Sequence, residues 1–162
     1  MRISFDKLHI PSPEGNESLS KLDPDDHIHG GLYLEIDDRR VPQMGFWGPD
    51  DVCLNAWLEE LWLIANAFQS PTAGRHVFDE GEQGQPAFIF ERIDAQAFLT
   101  IADSQYSEGT ANPDWQRVEF SAEEFLAGHL RFRESFFNTL KTEAPCAADQ
   151  WIQNHDPKAR NT

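Results

Sequence analysis

The 162-residue chain holds 28 Asp and Glu against 13 Lys and Arg, a formal net charge of −15 with a pI near 4.6. Binding a polyphosphate or an anionic membrane depends on Lys and Arg displacing counterions, so nucleic acid and membrane are excluded as expected partners, and a basic protein or cationic ligand fits the sign. With 40% hydrophobic residues, twelve Phe and five Trp, the chain is no disordered acidic tail, and one domain burying roughly 70% of its unfolded surface is expected.

In chain order, Ile3, Phe5, Leu8 and Ile10 among polar neighbours predict a first strand ended by Pro11 and Pro13. Asp6, Lys7 and His9 break any apolar leader. Residues 12–30 read as a loop or mobile arm. Leu32, Leu34 and Ile36 alternate with Tyr33, Glu35 and Asp37, a half-buried strand turning at Asp37 and Asp38 into Arg39, Arg40 and Val41, as in a hairpin. Gly48-Pro49-Asp50-Asp51 reads as the opening of a long helix, with Pro in the first turn and two carboxylates at the positive end of the macrodipole. Leu54, Trp57, Leu58, Leu61, Trp62, Ala65 and Phe68 follow at helical spacing, and Leu63 and Ile64 widen the apolar arc beyond one face.

Between residues 75 and 120 the period changes to short apolar runs separated by tight turns, which predicts an antiparallel meander of three or four strands. Ser121-Ala122-Glu123-Glu124 is a capping box that opens a second long helix, whose buried face is assigned to Phe125, His129, Phe132, Phe136 and Leu140, with Leu126, Leu130 and Phe137 beside them, up to Pro145. A short third helix near Ala147–Gln153 would dock Trp151. The expected fold is α+β: a mostly antiparallel sheet of five to six strands with two long helices on one face. It forms a single domain over residues 1–153 with a disordered tail at 154–162. Cys53 and Cys146 imply no disulfide framework. Both are expected to be reduced and half-buried, with the cytosol as the natural compartment.

No nucleophile motif is present, neither Cys has a recognisable catalytic context, and the expectation is a non-enzymatic protein without metal or cofactor. His27 and His29 are the one pair spaced to chelate a metal, near Asp23, Asp25 and Asp26, but no third ligand follows from spacing and a solvated loop is the plainer reading. His129 reads as a satisfied core histidine. Glycine at 81 and 84 flanks acidic Glu82 without a following Lys, a poor cradle for phosphate.

Charge distribution says more. Residues 31–120 hold 16 of the acidic and five of the basic residues, hence 11 of the 15 surplus negative charges. Asp37, Asp38, Asp50, Asp51, Asp79, Glu80 and Glu82 all fall at ends of predicted elements, with Trp47 and Tyr106 close by in sequence. Acidic groups that speed encounter, around rings that anchor the complex, describe a surface for a basic protein partner.

Trp47-Gly48-Pro49 leading into a Trp-rich helix, and the acidic Phe78-Asp79-Glu80-Gly81 turn, make residues 31–143 similar in character to bacterial immunity proteins that protect a cell from polymorphic toxins. That resemblance implies stoichiometric inhibition of a cognate basic toxin by occlusion of its active site, and it carries over no family site residues. Two alternatives stand beside it: a metal-binding domain or metal-dependent enzyme using His27 and His29, and an oligomeric structural or adaptor protein whose surplus Trp and Phe bury a self-interface. Monomer and homodimer are both compatible with the sequence.

Overall fold

The first alternation forms β1 (Arg2–His9) and the second β2 (His29–Ile36), antiparallel neighbours in a computed structural model that describes residues 1–45, 48, 51–81 and 84–160. Asp37 and Asp38 take left-handed φ angles of 48° and 60°, the conformation a two-residue hairpin requires, and return the chain into β3 (Arg39–Arg40). A two-residue strand, β4 (Val52–Cys53), also pairs with β2, His29 opposite Cys53 and Gly30 opposite Val52. β1 lies along one edge of β2; β3 and β4 share the other.

α1 (Leu54–Ala67) leads to the second sheet, the meander β5 (Ala73–Phe78), β6 (Ala87–Ile93), β7 (Gln96–Ala102) and β8 (Val118–Ser121). Ser121 then caps α2 (Ala122–Glu143), its side chain accepting from the Glu124 N–H, and Pro145 follows the helix end. α3 (Ala148–His155) and α4 (Pro157–Arg160) complete the described chain.

The α+β class and antiparallel pairing hold. The single sheet of five to six strands does not: the described residues form eight strands in two sheets, with four helices. α1 touches β2 of one sheet and β5 of the other, and α2 touches β1 and β8, so the helices bridge two sheets instead of covering one face of one. The core is continuous across them. Trp57 meets Phe78 edge-on at 4.8 Å between ring centroids, Phe68 packs on Phe125, and Phe136 on Trp151.

Three boundaries move for physical reasons. The first helix begins at Leu54, because Val52 and Cys53 are engaged in the β2 ladder; Pro49 and Asp50 lie outside the described residues. The segment expected as a loop or arm carries buried Leu19, Leu22 and Ile28, and its last two residues belong to β2. The expected tail contains α4 and the buried Asp156, which is drawn in by Arg133. Within α2, Leu130 faces solvent, and buried Gly128 takes its place, where a Cβ would stand 3.0 Å from the Met1 carbonyl. Among the described residues no helix is long and apolar enough to cross a membrane.

Candidate functional site

The acidic residues resolve into three locations. Asp37 and Asp38 are exposed at the β2–β3 turn, and the neighbouring Arg39 reaches across to the Asp114 carbonyl at 2.9 Å and lies over the Trp115 ring. Asp51 lies beside His29. Asp79, Glu80 and Tyr106 converge at the end of β5. Trp47, Asp50 and Glu82 lie outside the described residues.

At that third location Asp79 has a structural task. Ser104 Oγ donates to Asp79 Oδ1 at 2.7 Å and the Gln105 N–H to Oδ2 at 2.8 Å, so one carboxylate pins the turn after β7 to the end of β5. Ser107 Oγ donates to the Gln85 carbonyl at 2.6 Å, fixing the next corner. Glycine is required at 109, where a Cβ would come within 1.8 Å of that same carbonyl oxygen. On this braced loop Tyr106 is 73% exposed, at the rim of a hollow of about 440 Å³ lined by Arg75, Val77, Asp79, Ile89 and Asp103 among others. Val77, on the same outer sheet face, is 39% exposed.

A second constellation was only half visible in the sequence. The antiparallel register places His9 opposite His29 and His29 opposite Cys53, a row across β1, β2 and β4. His27, two residues before His29, adds a third donor: the ligand atoms of His27, His29 and Cys53 all lie within 4.8 Å of one another. His29 Nδ1 donates to Asp51 Oδ1 at 2.7 Å. The hydrogen bond with Cys53 raises the His29 pKa to about 9, against partial burial and with further help from Asp51. Cys53 was expected to be a reduced, half-buried small residue. Its half-buried state agrees, but its neighbours were invisible because only strand pairing brings them together; Cys146 is exposed, not half-buried.

The backbone around these donors is fixed from several sides. The Leu54 N–H donates to the Ile28 carbonyl at 2.8 Å, and the Ile28 N–H donates to Asn55 Oδ1 at 2.8 Å. Trp151 Nε1 donates to the Asp26 carbonyl at 2.9 Å. The segment holding His27 and His29 is therefore bonded to the first turn of α1, which follows Cys53 directly, and to α3.

His129 is buried as expected but not satisfied. Its Nε2 has no hydrogen-bond partner among the described residues, and burial, then the nearby Arg133 charge, lower its pKa to about 4. It lines a hollow of about 320 Å³ with Trp62, Leu126, Arg133 and Lys158. Compared with family models, curated proteins and solved structures, the chain matches none.

Proposed function

We propose that the chain is a non-enzymatic acidic binding protein that covers a basic protein surface, with inhibition of a cognate basic toxin, in the manner of an immunity protein, as its specific form. The observation that carries this reading is Tyr106, 73% exposed on a loop braced by Asp79 and Ser107. A large ring held out on a rigid loop loses little conformational freedom on docking and suits the centre of an interface. Asp103 and Glu108 close to it in sequence, and Glu80 next to Gly81, whose Cβ would stand 2.9 Å from the Tyr106 Cβ, within a chain of charge −15, favour fast encounter with a cationic partner.

The test is binding kinetics, over a salt series, against a panel of basic protein domains that includes any encoded by neighbouring reading frames. Because Asp79 braces the loop, charge is better probed by a Glu80→Gln, Glu82→Gln, Glu108→Gln triple variant. The expected outcome is association slowed several-fold with a flatter salt dependence, while Tyr106→Ala raises the dissociation rate at least tenfold. Wild-type rates in both variants would remove this surface from consideration.

A further inference from the structure

Beyond protein binding, we infer that His27, His29 and Cys53 form a site for a zinc-class divalent transition metal, with Asp51 as the carboxylate that orients His29.

The geometry starts from strand pairing. Directly opposed residues of antiparallel strands project from the same face, so His29 and Cys53 emerge side by side, and His27, in the segment just before β2, brings its ring to the same place. Metal bonds of about 2.0–2.3 Å in a tetrahedron set donors roughly 3.5 Å apart. The three donor atoms, all within 4.8 Å of one another, need to close by about 1 Å, a movement that rotation of the exposed His27 ring can supply.

The surroundings suit such a centre. A metal-bound imidazole commonly gives its other N–H to a carboxylate, and the His29 Nδ1 bond to Asp51 does this; the other ring nitrogen, now hydrogen-bonded to Cys53, turns to the ion when the metal takes the place of that bond. Cys53 pairs with His29 in the β2–β4 ladder and is the N-cap of the 14-residue α1, so its backbone is held from both sides. The bonds from Leu54, Asn55 and Trp151 hold both flanking backbones, so little ordering accompanies binding.

One thiolate and two imidazoles are a borderline-soft donor set that selects zinc-like ions over calcium or magnesium, which need oxygen ligands. Three protein ligands leave a fourth position for water or a further group. His9 is the next imidazole, its ring centroid 6.2 Å from that of His29 and its Nδ1 held on the Lys7 carbonyl at 2.9 Å. A Cys–His–Asp line could also serve a nucleophilic thiol. Convergence of a second imidazole, which such a thiol does not need, favours the metal.

The experiment uses untagged full-length protein stripped with chelator and titrated with Co²⁺, then with Zn²⁺ in competition. One Co²⁺ per chain is expected, with a thiolate-to-cobalt charge-transfer absorption that Zn²⁺ abolishes. Cys53→Ser should lose that absorption and Cys146→Ser keep it. His27→Ala, at an exposed position that leaves the fold intact, should weaken binding at least tenfold. No stoichiometric binding at micromolar metal, or binding unchanged in both Cys53→Ser and His27→Ala, overturns the inference. Absence of metal binding together with rapid alkylation of Cys53 that depends on His29 also overturns it, in favour of a nucleophilic pair. Because the readout is metal and not partner, a failure here leaves the Tyr106 surface standing.

Discussion

Asp156 forms a two-point ion pair with Arg133, its carboxylate 2% exposed, and thereby ties the chain after α3 to the middle of α2. Asp156→Asn leaves the guanidinium without its counter-charge in a mostly buried setting, so a loss of about 3 kcal/mol is expected. Replacing both residues with apolar ones of similar volume should recover much of that loss. Urea unfolding of the single and double variants checks both statements.

Beside that pair, His129 makes stability fall in acid. Its folded pKa of about 4 lies below the ordinary histidine value of 6.5, so between these values the unfolded chain takes up a proton that the folded chain refuses. The contribution is complete above pH 6.5 and is lost as pH drops towards 4, by about 3 kcal/mol in total at 1.36 kcal/mol per unit. The charged groups facing the ring are Arg133, Asp156 and Lys158. His129→Leu removes an unpartnered buried nitrogen, and its stability should match or exceed wild type at pH 7 with a flatter profile down to pH 4.

Glu35 adds acid sensitivity of the same sign. It is 9% exposed in the middle of the first sheet, where Arg2 of β1 and Arg40 of β3 both pair with it. The hydrogen bond from Arg2, then that from Arg40, hold its carboxyl below the usual range despite burial. The stabilisation is present above the unfolded carboxyl value and disappears as pH falls through the folded one. Glu35→Gln should lower stability at pH 7 by about 1–2 kcal/mol and leave the acid limb shallower, as thermal melts across pH would show.

The brace under Tyr106 is separable from its charge. Asp79→Ala removes acceptors for Ser104 and Gln105, and a loss of about 1–3 kcal/mol is expected, with faster proteolytic cleavage within residues 104–109. Gly109→Ala should open the same loop, since its Cβ would collide with the Gln85 carbonyl. If cleavage rates in both variants equal the wild-type rate, the loop is held by something other than these contacts.

Legibility tracked the range of the interactions. The β5–β8 meander and α2 were readable because alternation, short turns and the Ser121 cap act within a few residues. The start of α1 was misplaced because pairing of Val52 and Cys53 with β2 overrides the local preference of Pro49, Asp50 and Asp51 for a helix N-terminus. The split into two sheets depends on which strands α1 and α2 bridge, which no local pattern encodes. At the candidate sites, His27 and His29 were visible as a spaced pair. Cys53 was not, because its proximity is a matter of register, and the bracing role of Asp79 depends on a loop more than twenty residues further on.

The hydrogen bond from Trp151 to the Asp26 carbonyl spans 125 positions, and His155 reaches the Pro24 carbonyl across 131. Such contacts impose an order of assembly. The strand that carries His29 can pair with β1 early in synthesis, but the turn before His27 is clamped by α1 alone until α3 has been made and has docked. Closing so long a loop is entropically expensive and slow, so donor convergence is expected among the late steps of folding, after both sheets have formed. A chain lacking α3 would keep its three donors in sequence while losing one of the contacts that hold them together.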